Sequence, residues 1–337
     1  MPPRNLPTDP AKLTPSILRY LESSPPDGYS AHQKARTTAA RLVHSGHKQE
    51  AIQVLFISAK ELLKVQEWGS GTDLGCYMVE TYRSAEVQVD SESKARVTQL
   101  LALMTSEGTW RKKLADLTIK WSLEFGDCQT GDPDLHKYIG ELYYKDRKFV
   151  QAEQHLVASC KRDAAVTLAE MAYEWCGKGA EDPAPYACRV VIPFISITPP
   201  AILPARTFLS KFITLLSSSD SSFIATTLTY GSGELPLTTS STLNWLQMAV
   251  LTVQRAPAEG VSGVQARGTT GGISREWESL VRKYKGQDKV VGSQAVQEAL
   301  LHISTNTFKI PPPRQAGGGP DLMNLMGSLF GGAPARR

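Results

Sequence analysis

From about residue 35 onward, apolar residues recur at intervals of three and four, the signature of amphipathic helices. Ala35, Ala39, Leu42 and Val43 form one stripe. After the Ser45–Gly46 break come Ile52, Leu55, Phe56, Ala59, Leu62 and Leu63. Leu74, Met78, Tyr82 and Ala85 form a third stripe, and Val97, Leu100, Leu101 and Met104 a fourth. Trp110, Leu114, Leu117, Trp121 and Phe125 form a fifth, stopped by Gly126 as a helix C-cap. Asp132–Pro133 opens the next helix, with Asp capping the free N–H groups and Pro in the first turn. Its stripe is Leu135, Tyr138, Ile139, Leu142 and Tyr143, and stripes through Phe149, Ala152, Leu156 and through Ala165, Leu168, Ala172, Trp175 follow. Short helices with one apolar face each, joined by short turns, bury those faces only by stacking on neighbours. The expected fold is therefore all-α, an α-solenoid of antiparallel helix pairs. The spacing matches no tetratricopeptide consensus, so the repeats are degenerate.

The pattern changes in the second half, where Pro183, Pro185, Pro193, Pro199, Pro200 and Pro204 crowd together. Pro193 is expected to end or kink the helix carrying Val190–Ile192. A helix resumes through Ala205, Phe208, Leu209, Phe212, Leu215 and Leu216. Ser222–Thr239 is different: two β-prone runs flank Gly231-Ser232-Gly233, which reads as a β-hairpin, with a plain surface loop as the alternative. A lone hairpin is marginal in water and must lean on helices or on another chain. Leu243, Leu246, Val250 and Val253 restart a helix, and Ala256–Gly272 reads as a flexible loop. Two helices follow through Trp277, Leu280, Val281, Tyr284 and through Val296, Leu300, Ile303, with Ser274 and Ser293 as expected N-caps.

These readings divide the chain into a flexible leader (1–28), helical repeats (29–160), helical repeats with a hairpin near 222–239 (161–307), and a disordered Pro- and Gly-rich tail (308–337). A short helix around Ser16–Leu21 fits inside the leader. Within the tail, Asp321–Phe330 is an apolar patch of the form a linear docking motif takes, or simply a sticky end.

Composition adds limits. Of 337 residues 41% are hydrophobic, which supports a folded body. A net charge of +4 gives no reason to expect a nucleic-acid surface. The five cysteines are odd in number and make no C-x-x-C pair, so a disulfide framework and a zinc ribbon are poor readings. The first residues hold no apolar run of signal-peptide form, and no stretch reaches ~18 uninterrupted apolar residues. The expectation is a chain without a membrane span, working in the cytosol.

Catalytic motifs are missing. Gly177-Lys178-Gly179 lacks the spacing of a phosphate-binding loop, and neither H-E-x-x-H nor G-x-S-x-G occurs. His44 and His47 sit near a helix end, and Cys160 falls five residues after His155, off its helix face. No metal, no cofactor and no catalytic residue is expected. Arg282-Lys283-Tyr284-Lys285 reads as a solvated helix face or as a contact for an acidic partner. The tryptophans on apolar positions, Trp110, Trp121, Trp175 and Trp277, read as packing residues.

Several strings taken in order resemble the fourth component of the guided-entry-of-tail-anchored-proteins pathway, known in animals as a subunit of the transmembrane-domain recognition complex. They are Tyr29-Ser30-Ala31-His32-Gln33 with Arg36, Gly69-Ser70-Gly71-Thr72-Asp73-Leu74, Ala85-Glu86-Val87 with Val89-Asp90, and Gly131–His136 with Ala152-Glu153 after it. Pro193-Phe194-Ile195, Leu243-Asn244-Trp245-Leu246-Gln247 and the Leu322–Gly332 patch complete the series. The stretch Ala256–Gly272 is longer than that family leads one to expect. The resemblance implies a non-enzymatic adaptor whose N-terminal half docks on the targeting ATPase. Its C-terminal half, including a hairpin, would hold a ubiquitin-like-domain protein that recruits chaperones and tail-anchored clients. Carried over residue by residue, it implies ATPase contacts at Tyr29, Arg36, Arg41 and Asp73. Asp73 has a second reading, as the cap of a helix starting near Leu74. For the ubiquitin-like partner the residues are Phe223, Ile224, Leu228, Tyr230, Leu235, Leu237, Trp245 and Met248. Other readings are a helical scaffold subunit of a different complex, an enzyme with dispersed catalytic residues, and an RNA-binding helical array.

Overall fold

The structure is a computed structural model that describes residues 8–177, 182–230, 233–256 and 264–312. The chain forms two compact units, Met1–Lys148 and Phe149–Arg337. The change falls twelve residues before the boundary read from the sequence.

The first unit holds α1 (Pro10–Leu18), α2 (Gly28–His44), α3 (Lys48–Lys64), α4 (Trp68–Ser84), α5 (Ser91–Leu103), α6 (Trp110–Phe125) and α7 (Pro133–Lys145). The apolar stripes supply most of their buried positions: Ala35 and Ala39 on α2, Leu55 and Leu62 on α3, Leu74 and Met78 on α4, Leu100 on α5. Trp121 of α6 is fully buried against Tyr82, 5.0 Å between ring centroids, and its indole N–H donates to the Val87 carbonyl at 2.9 Å. Asp132 caps α7 by accepting from the Asp134 and Leu135 N–H groups, with Pro133 behind it in the first turn.

From Pro10 the leader is helical over more of its length than the short helix read at Ser16–Leu21. Asp9 caps α1, accepting from the Ala11 N–H, and Pro10 occupies the first helical position, the same start signal as at Asp132–Pro133. Ile17 is 1% exposed, so the helix is held by burial rather than by its short length. Trp110 departs in the other direction: it opens α6 at 38% exposure instead of packing inside.

The second unit holds α8 (Phe149–Ala158), α9 (Arg162–Cys176), α10 (Ala184–Ser196), α11 (Ile202–Ser219), β1 (Ile224–Tyr230), β2 (Gly233–Thr238), α12 (Ser241–Gln254), α13 (Val264–Lys285) and α14 (Gln294–Asn306). Helix α10 is central, touching α8, α9, α11, α12 and α14. It runs through Pro193 to Ser196 instead of ending there. The lost N–H bond falls in the last turn, and burial of Ile192, Phe194 and Ile195 on either side holds the backbone helical. The expected loop 256–272 is shorter than read, because the α13 backbone is helical from Val264. Ser274 consequently lies inside that helix, where its hydroxyl donates to the Phe308 carbonyl at 3.3 Å, and Ser293 precedes α14 without a side-chain cap bond. Phe308, placed at the start of the tail by the sequence, is 2% exposed and stacks on Trp277 at 4.9 Å. The Asp321–Phe330 patch lies outside the described residues.

Candidate functional sites

Two surfaces carry the site residues. The first is on α2 and α4. Tyr29 and Arg36 lie seven residues apart, two turns of helix, and so share a face of α2. Tyr29 is 73% exposed. Asp73 of α4 meets that face: its carboxylate accepts from the Arg36 guanidinium and bonds the His32 ring Nε2 at 2.9 Å. The Arg36 guanidinium also sits 5.7 Å from the centroid of the Tyr77 ring. Partial burial pushes the Asp73 carboxyl up, but the hydrogen bonds from His32 and Arg36 outweigh it and leave the group below its ordinary value. Asp73 is therefore a fixed anion between two donors. Arg41 does not join this cluster. It lies five residues beyond Arg36, about 140° further round the helix, and bonds the Thr38 hydroxyl at 3.5 Å.

The structure excludes the capping alternative for Asp73. Helix α4 begins at Trp68, so Gly69 and Gly71 are helical and Asp73 lies in the second turn. The sequence misplaces this start because glycines in a helix carry a cost, and here close packing offsets it. A Cβ at Gly71 would stand 2.6 Å from Leu63 Cγ and 3.2 Å from the Ala59 carbonyl oxygen of α3. The Gly71→Ala variant shows which effect wins. Helix propensity favours alanine by about 1 kcal/mol, whereas overpacking a filled interface costs about 1–3 kcal/mol. Leu63 is itself 1% exposed and has little room to move. The expected result is a net loss of about 1 kcal/mol, read as a lower urea midpoint with unchanged slope; a raised midpoint would mean α3 and α4 are looser than described.

The second surface is the hairpin with α11 and α12. Strands β1 and β2 pair antiparallel, with Thr226 opposite Leu237, Leu228 opposite Leu235, and a bulge between Ile224 and Thr226. Helix α12 holds the outer edge of β2 with two amides. Asn244 accepts from the Thr238 N–H at 2.8 Å and donates to the Thr238 carbonyl at 2.8 Å; Gln247 donates to the Pro236 carbonyl at 2.8 Å. Two side chains thus do for β2 what a third strand would. Asp288, 8% exposed, accepts from the Ser241 and Thr242 hydroxyls and fixes the start of α12.

A groove of about 590 Å³ runs between α11, α12 and the hairpin. Its apolar lining includes Leu209, Ile213, Ile224, Leu235, Val250 and Leu251; Arg206 and Arg255 stand at one end and Glu234 also borders it. Of the residues read for a partner, Ile224 and Leu235 line this groove. Leu228 is 49% exposed, and Phe223 and Leu237 are half-buried. Tyr230 closes β1 opposite Gly233, and its side chain lies outside the described residues. Trp245 is a correction. It is 0% exposed, so it supports α12 from inside and offers no contact surface. Met248 is half-buried beside Arg275, Leu280 and Tyr284 of α13 and does not line the groove. The amides Asn244 and Gln247 were missed, although two amides three residues apart just after a strand mark a helix face aimed at it. Leu209 and Ile213 were missed as lining because they merge with the core stripe Phe208 and Phe212.

Among the described residues no group of three or more His, Cys, Asp or Glu is placed to hold a metal ion, and no helix is long and apolar enough to cross a membrane.

Residues 45–330 match the family model described as GET4, Golgi to ER traffic protein 4. A Golgi to ER traffic protein 4 of Aspergillus fumigatus is 31% identical over 320 residues, covering 90% of this chain and 86% of its own. One of Schizosaccharomyces pombe is 27% identical over 312 residues, covering 92% and 93%. The crystal structure of C. therm. Get4 superposes with a TM-score of 0.78 at 30% identity, covering 97% of this chain and 98% of that one. The α-solenoid with one hairpin is thus the fold of a known traffic protein, and the chain belongs to the Golgi to ER traffic protein 4 family.

Proposed function

We propose that this protein is a non-enzymatic cytosolic adaptor in the insertion of tail-anchored proteins into the endoplasmic reticulum membrane. In this reading the α2–α4 surface docks on the targeting ATPase. The hairpin with its flanking helices holds a ubiquitin-like-domain protein, through which chaperones and tail-anchored clients are reached. The observation that carries the reading is the Asp73 cluster. An ion pair this exposed contributes at most about 1 kcal/mol to stability, yet Asp73 has two side-chain donors on α2, the helix that also carries the exposed Tyr29. Charged groups fixed at a surface give a fast, salt-sensitive encounter, as a transient handoff needs. The apolar hairpin groove suits a longer-lived partner. That the two surfaces fall in different compact units supports the division of labour.

The test is a pull-down from cytosol with the intact protein and with Tyr29→Ala/Asp73→Arg. The intact protein is expected to recover both an ATPase and a ubiquitin-like protein, and the double variant only the latter. Recovery of neither by the intact protein would leave a helical scaffold subunit of another complex as the reading.

A further inference from the structure

Trp110 is the tryptophan that the fold leaves exposed among the described residues, at 38%. It opens α6, and its ring rests on the start of α4: a Cβ at Gly69 would stand 3.5 Å from Trp110 Cη2. At the other end of the indole, a Cβ at Gly108 would stand 3.6 Å from Nε1. Both neighbours are glycines, so neither has a side chain to cover the ring. Trp121 and Trp277 donate their indole N–H groups to the Val87 carbonyl and the Ser304 hydroxyl. No described residue accepts from that of Trp110.

A single exposed apolar side chain is ordinary; what sets Trp110 apart is the face it stands on. Gly69, Asp73 and Tyr77 follow at intervals of four residues and share one face of α4. Trp110 therefore meets the face of the Asp73 cluster, about 6 Å from Asp73 along the helix axis. Helices α2 and α6 both pack on α4. Arg36 reaches this face from α2. From α6 comes the exposed Lys113: burial pushes the Cys76 thiol of α4 up, and the Lys113 ammonium opposes that rise. We propose that the docking surface for the targeting ATPase continues from α2 and α4 onto α6, with Trp110 as its apolar anchor and Lys113 as a cation beside it. The proposal rests on the function given above and adds a third helix to that surface. It also states the chemistry of the matching patch on the ATPase: an apolar side chain for the ring, an oxygen acceptor for the indole N–H and a carboxylate for Lys113. A large ring already seated on packed backbone has area left to bury and loses little freedom when a partner covers it, the combination that makes tryptophan a frequent anchor of interfaces.

The test uses the full chain labelled with 5-fluorotryptophan and the ATPase recovered in the pull-down above, purified. Trp110→Phe identifies the Trp110 fluorine resonance, and the same change at Trp277 identifies a buried reference in the second unit. Adding the ATPase is expected to shift the Trp110 resonance and leave that of Trp277 in place. Trp110→Ala is expected to raise the Kd for the ATPase about tenfold or more, with the ubiquitin-like protein still recovered. If Asp73→Arg abolishes ATPase binding while Trp110→Ala and the Trp110 resonance show no effect, α6 lies outside the interface; this proposal falls and the α2–α4 reading stands. Weaker binding by Trp110→Ala without a shift of the resonance would mean that the ring acts only by supporting α4, and overturns the contact. A Trp110 resonance that moves with the concentration of the chain alone would assign the ring to a contact between copies and overturn it as well. An intact chain that binds no ATPase sinks both readings together.

Discussion

Replacing Trp245 with alanine is expected to lower the unfolding free energy of the second unit by about 3–5 kcal/mol, the cost of emptying a large buried site. The side chain is 0% exposed, and its neighbours along α12, Leu246 and Ala249, are equally inaccessible. The loss has a structural consequence, because α12 also presents Asn244 and Gln247 to β2. A helix that shifts by even a fraction of an ångström misaligns those amides and frees the edge of the hairpin. Urea unfolding followed by circular dichroism measures the loss. Trp245→Phe sharpens the test. The indole N–H has no protein acceptor among the described residues, so phenylalanine forfeits packing but no protein hydrogen bond. It should cost clearly less than the alanine variant, because the cavity left is smaller. If both variants kept full stability and lost only partner binding, Trp245 would be a contact residue after all, and its placement in the core would be wrong.

That residue shows how far the sequence can be read. Tryptophan on an apolar stripe, flanked by a hairpin, suits either a core or an anchor at an interface, since both ask for a large ring with one polar handle. Periodicity locates the helix but does not tell which side of the stripe a neighbour covers. Where helices repeat regularly, as from α2 to α7, most stripe positions are buried, Trp110 excepted, because each helix packs on helices one or two places away in the chain. Where one helix has five neighbours, as α10 does, burial extends round most of its surface and overrides the helix-breaking signal of Pro193. Glycine misled in a similar way. Gly69-Ser70-Gly71 has the composition of a turn, and packing explains why it is helix: Gly71 lies close against Leu63 of α3, and Gly69 faces the Trp110 ring. The cluster at Asp73 was half legible: Asp73, Arg36 and His32 all stand in recognised strings, whereas the role of His32 as the second donor required the crossing of α2 and α4. The leader failed for a simpler reason. Asp9–Pro10 is a start signal of the same kind as Asp132–Pro133, but the few apolar residues after it supported only a short helix around Ser16–Leu21.

A polar interaction inside the second unit was invisible for the same geometric reason, and it gives the other large expected effect. Glu153 of α8 is 3% exposed at its side chain, and both its oxygens accept from Arg189 Nε of α10 at 3.0 Å. The guanidinium lies 5.2 Å from the centroid of Trp175, which in turn stacks on Phe149 at 5.6 Å. Replacing Arg189 by methionine keeps most of the stem packing but leaves a carboxylate inside without its cation. Removing one member of a buried pair costs about 3–5 kcal/mol; because Arg189 keeps 38% of its side chain in contact with solvent, about 3 kcal/mol is the expected loss. The pair as a whole need not be stabilising, since desolvating both charges offsets their attraction. The double variant Glu153→Leu/Arg189→Met is therefore expected to recover to within about 1 kcal/mol of the parent. A double-mutant cycle of urea midpoints separates the two cases. A single Arg189→Met variant as stable as the parent would mean that Glu153 reaches water or another donor, and that α8 and α10 are not locked together by this pair.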